Sequence, residues 1–174
     1  MTRKVKNEDL NRLTVEKYRK VSKSPIIVVL DNVRSMHNVG AIFRTSDAFR
    51  VEKVYLCGIT ATPPHRDIRK TALGADESVS WEYANTTEEA LKELDGCHIC
   101  ALEQVVDSVP LRDVNLPKDK TIVLVVGNEV DGVDEKVLDY CSQVIEIPQF
   151  GTKHSFNVSV STGITLWEIF NKIN

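Results

Sequence analysis

No stretch of this sequence stays apolar for long. The longest unbroken runs, Ile26–Leu30 and Ile122–Val126, hold five residues each, whereas a membrane-spanning helix needs about 20. The opening residues, MTRKVKNEDLNRL, are charged and contain no apolar core segment, so neither a secretory signal nor a membrane anchor is expected. Cysteine is sparse. Cys57, Cys97, Cys100 and Cys141 lie in or beside apolar segments without a disulfide-framework pattern, and reduced thiols in a cytoplasmic protein are the simplest account. Cys97 and Cys100 have CxxC spacing with no second such pair. In a strand they would face opposite sides of the sheet, so neither zinc nor redox pairing is expected. A Walker A loop, a GxGxxG fingerprint and a GxSxG elbow are also missing, which removes the ordinary nucleotide-phosphate cradles and the commonest serine-hydrolase arrangement.

What is present is the composition of a globular domain, 42% hydrophobic and 27% charged in 174 residues. A chain of that length buries a sizeable core without disulfides or metal, and one domain is expected. The net charge of −3 hides a partition: residues 1–23 carry a net +5, residues 24–75 a net +3 and residues 76–174 a net −11. The expected division is a basic N-terminal arm, 1–23, on a body, 24–174. Arg3, Lys4, Lys6, Arg12, Lys17, Arg19, Lys20 and Lys23 make the arm a candidate polyanion-binding segment. A solvated amphipathic helix would have the same composition.

Along the chain, Leu10, Leu13 and Tyr18 fit one face of a short helix that Pro25 ends. PIIVVLDNV (25–33) reads as a buried strand, and Asn38 is placed to cap a helix running to Phe49, with Ile42, Phe43 and Phe49 inward. A second strand is expected over Val51–Ile59 and a third over Ser78–Ala84, separated by a polar stretch with a Pro-Pro break. Thr86–Leu94 reads as a helix with acids in its first turn. Cys97–Leu102, Thr121–Val126 and Val144–Ile147 read as strands, the last two separated by a short helix around Asp134–Tyr140. A final helix begins near Asn157, with Val160, Ile164, Trp167 and Ile169–Phe170 inward. This alternation predicts an α/β fold, a mainly parallel sheet of about six strands flanked by helices, with ligands at the C-terminal strand ends.

Three polar loops leave those ends. In DNVRSMHNVGAIFRTSDAF (31–49), a helix cap accounts for Asn38 but not for Arg44, whose guanidinium beside a packed face needs a structural carboxylate or a phosphate. In VVGNEVDGV (125–133), Gly127 would let a ligand approach the backbone, although Asp131-Gly132 also suits an ordinary turn. Glu129 and Asp131 without a third ligand do not make a metal site, and no metal is expected. In QFGTKHSFNVS (149–159), capping explains either Ser155 or Asn157, not both together with Lys153 and His154.

In that order the loops resemble the SpoU/TrmH branch of the SPOUT RNA methyltransferases over residues 26–172. Asn38-Val39-Gly40-Ala41-Ile42-Phe43-Arg44-Thr45 is similar to the family's Asn-x-Gly-x-x-x-Arg-Thr. Gly127-Asn128-Glu129-Val130-Asp131-Gly132 is similar to its Gly-x-Glu-x-x-Gly. Ile147-Pro148 with Ser155-Phe156-Asn157-Val158-Ser159 is similar to its Ile-Pro…Ser-Leu-Asn-Val-Ser, with Phe in place of Leu. The resemblance implies a C-terminal deep trefoil knot, S-adenosylmethionine as methyl donor, a homodimer, and methylation of a ribose 2′-hydroxyl in tRNA or rRNA. It implies a catalytic role for Arg44, with Asn38, Glu129, Ser155 and Asn157 ordering the site. Leu102, Gly127, Ile147 and Phe156 would hold the donor. A guanidinium stays protonated at neutral pH, so gripping a phosphate and stabilising an alkoxide suits Arg44 better than acting as a base. Two other readings compete: a catalytically silent RNA- or cofactor-binding module on the same fold, and a receiver-type domain using Asp31.

Overall fold

The computed structural model describes residues 2–174. Seven strands form one sheet: β1 (Ser24–Asp31), β2 (Val51–Cys57), β3 (Trp81–Ala84), β4 (His98–Leu102), β5 (Val109–Pro110), β6 (Ile122–Val126) and β7 (Gln143–Glu146). Their order is β3-β2-β1-β6-β4-β7-β5, and every pairing is parallel. The strand beyond the six expected is β5, two residues long and ending in proline, too short to show an alternating pattern. The helices are α1 (Val15–Lys20), α2 (Met36–Ala48), α3 (Arg66–Ala72), α4 (Ala75–Ser78), α5 (Thr87–Glu93), α6 (Glu135–Leu138) and α7 (Val158–Ile173). Among the described residues no helix is long and apolar enough to cross a membrane.

The runs that read as doubly buried strands are so. In β1, Ile26, Val28 and Leu30 face one core while Ile27 and Val29 face the other, and β6 divides the same way. Cys100 belongs to the first core and Cys97 packs against the second, so the CxxC pair faces apart. All four cysteines are free thiols. Burial pushes the Cys57 thiol up to about 12 and the Cys100 thiol up to about 11.

Four expectations are corrected. Asn38 does not cap α2. Ser35 does, accepting from the Asn38 N–H at 3.4 Å, which frees the Asn38 side chain for other partners. The polar stretch after β2 contains α3, whose cap is the ring nitrogen of His65, accepting from the Asp67 N–H at 3.2 Å; a search for Ser, Thr, Asp or Asn caps misses it. In α1 only Tyr18 is buried, whereas Leu10 and Leu13 are exposed, and α1 ends at Val21, before Pro25. In α7 the buried face is Thr162, Thr165, Leu166 and Ile169, while Val160, Ile164 and Trp167 remain 50%, 38% and 58% exposed. That helix is apolar on two sides, so periodicity alone cannot choose between them. Thr162 can be buried because its hydroxyl donates to the Val158 carbonyl at 2.6 Å.

Helix α2 is held against α3 through Gly40. A Cβ there would meet the Thr71 hydroxyl and the Ile68 carbonyl, and the Thr71 hydroxyl also donates to the His37 carbonyl at 2.9 Å. Gly40→Ala must therefore push the two helices apart. Its expected cost is about 1–3 kcal/mol, the scale of overpacking, read as a lower midpoint in urea. An unshifted midpoint would mean that α3 moves aside freely.

Candidate active site

The loop after β6 is built by side-chain acceptors. Asn128 Oδ1 takes the N–H groups of Val130 and Asp131, both at 2.9 Å, folding residues 128–132 into a tight turn. Gly132 closes it with φ +73°, a conformation that L side chains rarely adopt. Both flanks of the turn are tied to neighbouring strand ends. Glu103, just past β4, accepts the Val133 N–H at 2.9 Å, and Asp31, at the end of β1, accepts the Asp134 N–H at 2.9 Å.

The turn presents Glu129 to the loop that enters α2. One Glu129 oxygen accepts the Arg34 N–H at 3.0 Å; the other accepts the Ser35 N–H at 3.1 Å and the Asn38 side-chain amide at 2.7 Å. Asn38 Oδ1 in turn accepts from Asn157 Nδ2 at 3.1 Å. The Asn157 oxygen caps α7, accepting from the Ser159 N–H at 3.0 Å. Capping thus explains half of the Asn157 side chain, and its other half closes a chain that joins all three polar loops. Burial pushes the Glu129 carboxyl up, but the hydrogen bonds from Asn38, Arg34 and Ser35 outweigh it and hold the group below the ordinary carboxylate value.

A cavity of about 630 Å³ opens at the C-terminal ends of β4, β6 and β7. Leu102, Gly127, Ile147 and Phe156 line it, as do Glu129, Ser155 and Asn157. Asn38 sits behind this lining, reached through Glu129 and Asn157. Arg44 is exposed on α2 and its side chain makes no hydrogen bond or ion pair with any described residue, so the structural carboxylate that would account for it is not there. Ser155 is exposed without a side-chain partner among the described residues. The role first read for Gly127 changes: a Cβ there would meet the Gly132 backbone, so this glycine is required by the turn itself.

Sequence reasoning missed Glu103, which lines the cavity and accepts from the Gln104 and Val133 N–H groups. Its place directly after β4 was the available signal. Asp31, the acid of the receiver-type reading, is buried, with donors Thr87 Oγ1 at 2.6 Å, Asn32 Nδ2 at 2.9 Å and the Asp134 N–H. It is a structural acceptor and not an open phosphoacceptor.

The family model that matches residues 25–167 is that of the SpoU rRNA methylase family. The chain belongs to that family. It is 34% identical over 150 residues to the 23S rRNA (guanosine-2′-O-)-methyltransferase RlmB of Neisseria meningitidis, an alignment covering 85% of this chain and 59% of that protein. Among solved SpoU-type structures, the A. aeolicus TrmH/SpoU tRNA modifying enzyme superposes with TM-score 0.78 at 33% identity, covering 91% of this chain and 81% of that one. The AdoMet-bound rRNA methyltransferase from Sinorhizobium meliloti superposes with TM-score 0.80 at 28% identity, covering 90% and 60%. The chain therefore spans about three-fifths of the length of some relatives it matches.

The Glu129 bonds predict a titration. Because its carboxyl is held low, the stabilisation they lend is present at neutral pH and lost as pH falls through that depressed value. Asn38→Ala removes one donor and should raise the Glu129 midpoint, as followed by carbonyl-carbon NMR. An unmoved midpoint would show that the Asn38 bond does not form in solution.

Proposed function

We propose that the chain is an S-adenosylmethionine-dependent RNA methyltransferase acting on a ribose 2′-hydroxyl of tRNA or rRNA. The observation that carries this is the cavity at the strand ends, bounded by the Asn157–Asn38–Glu129 chain that joins its three loops. The family and the names of its members support it: the Neisseria relative is named for guanosine 2′-O-methylation of 23S rRNA, and an Aquifex aeolicus relative, 34% identical, for that of guanosine 18 in tRNA.

The cavity fits the donor on its own chemistry. Its volume falls within the roughly 300–1,000 Å³ of small-molecule sites. Leu102, Ile147 and Phe156 give it apolar walls, and Phe156 keeps 42% of its surface open, a face against which an adenine ring could pack. S-adenosylmethionine, when bound, supplies an electrophilic methyl group on a sulfonium.

The remaining tasks are positioning the ribose and stabilising the oxygen that loses its proton. Asn38, Glu129 and Asn157 hold the loops in register, and Ser155 offers a free hydroxyl at the cavity wall. Arg44 brings an uncommitted guanidinium on a helix clamped by α3. It grips the phosphate beside the target ribose and stabilises the developing alkoxide.

Three finer features belong to this reading. Residues 149–157 would close a trefoil knot before α7, supported by the insertion of β6 between β1 and β4 and by Gln104 Nε2 donating to the His154 carbonyl at 2.9 Å. The open Val160, Ile164 and Trp167 stripe of α7 would be buried in a homodimer. Residues 1–23 would add RNA affinity to the domain over 24–174, and reduced thiols suit a cytoplasmic setting.

Donor binding should survive EDTA, because both oxygens of Glu103 and of Glu129 already accept N–H groups of the protein. Calorimetry showing an absolute need for a divalent ion would overturn this. Arg44→Ala should keep donor affinity within a few-fold while single-turnover methyl transfer falls roughly 10²-fold or more. Arg44→Lys should rescue poorly, since an ammonium lacks the planar two-pronged grip. A stably folded Arg44→Ala protein with near-normal transfer would remove Arg44 from the mechanism.

A further inference from the structure

A second recess, of about 480 Å³, opens beside α3 and is lined by Pro64, His65, Arg66, Arg69 and Lys70. We propose that it binds a backbone phosphate of the RNA strand flanking the target nucleotide, a placement that rests on RNA being the substrate of the site above.

The donors are there and unspent. Arg66 and Lys70 are one helical turn apart, both exposed, and neither side chain makes a hydrogen bond or ion pair with a described residue. Between them Arg69 is already committed, to Glu77 at 2.7 Å and to the buried Asp76 at 3.8 Å. His65 accepts the Asp67 N–H through Nδ1, so its proton sits on Nε2, which remains a donor. Four of its five lining residues carry nitrogen donors and none is Phe, Tyr or Trp, so its chemistry favours phosphate oxygens.

Its surroundings favour a polyanion that arrives along one face. Residues 76–174 carry a net −11 and repel RNA elsewhere. The N-terminal arm is fastened next to the recess by the same residue that holds Arg69: Arg19 donates to the Glu77 carbonyl at 2.5 and 3.2 Å. The side chains of Arg12 and Lys17 of the arm are exposed and without a partner among the described residues. Arg19 of the arm therefore extends the basic face of the recess.

That face is also rigidly tied to the chemistry. Thr71 of α3 bonds the His37 carbonyl at 2.9 Å, and α3 fits into the space left by Gly40. Arg44 lies one turn further along α2 on the Gly40 side. A phosphate gripped by Arg66 and Lys70 would thus be fixed relative to Arg44.

The test compares the wild type with an Arg66→Gln/Lys70→Gln variant. A Lys92→Gln/Lys136→Gln variant, altered on the α5–α6 side of the sheet, serves as control. Binding of a fluorescein-labelled unmodified tRNA transcript and of poly(U) is followed by anisotropy across a salt series. If both side chains meet phosphates, the slope of log affinity against log salt should be shallower by roughly 1.4–1.8 in the recess variant. The control slope should be unchanged, and melting temperature and donor affinity should match the wild type in both variants. An unchanged slope in the recess variant, or an equal loss in the control, overturns the proposal. Donor calorimetry and methyl transfer by the wild type test the methyltransferase assignment separately: a wild type that transfers methyl groups while the recess variant keeps its slope leaves that assignment standing and removes only this one.

Discussion

The candidate site depends on one carboxylate given backbone amides for partners. Glu129 accepts the N–H groups of Arg34 and Ser35 and the amide of Asn38. Those amides open α2, where N–H groups lack partners within the helix. An acid from another loop supplies them, which fixes the entry of α2 against the turn after β6. The same device recurs twice nearby, with Asp31 holding Asp134 and Glu103 holding Val133. Three acids at or beyond strand ends therefore convert flexible connections into walls. Removing any one of them would leave amides unpaired as well as deleting a charge.

The motif glycines follow from that construction. Gly40 admits α3 against α2, Gly127 admits the Gly132 backbone, and Gly132 takes a left-handed turn beside the Glu103 carboxylate. None of the three contacts requires a ligand. Their effect is mechanical: they set where Arg44 and Glu129 stand. A substitution at Gly127 would therefore disrupt the turn whether or not the cavity is filled.

Much of this was legible from residue order. The parallel α/β pattern, the doubly buried β1 and β6 and the polar loops at strand ends follow from apolar runs and their breaks. Leu102, Gly127, Glu129, Ile147, Ser155, Phe156 and Asn157 do gather around one cavity. What was not legible is what depends on distance in space. Asn38 has the composition of a cap, and only the approach of Glu129 and Asn157 shows where its amide goes. Helix α3 begins with a histidine cap after two prolines, so local propensity argued for a loop. In α7 two apolar stripes compete, and packing against α2 selects the one containing Thr162, whose hydroxyl turns back on its own helix.

The charge partition becomes geometric once folded. The cavity is lined by Glu103, Glu129, Asp131 and Glu146, whereas the exposed cations of α1 and α3 gather on the side of the sheet that carries α2. Glu103 and Glu129 are neutralised in part by amides and Asp131 by Arg34 at 3.1 Å, while Glu146 has no such partner among the described residues. An acidic cavity attracts a cation and repels a polyphosphate chain. A sulfonium donor and an RNA strand would therefore approach the same reacting centre from different directions, the donor through the acidic mouth and the strand along the basic face. On the proposed reading, Arg44, whose side chain is uncommitted on α2, would act where the two meet.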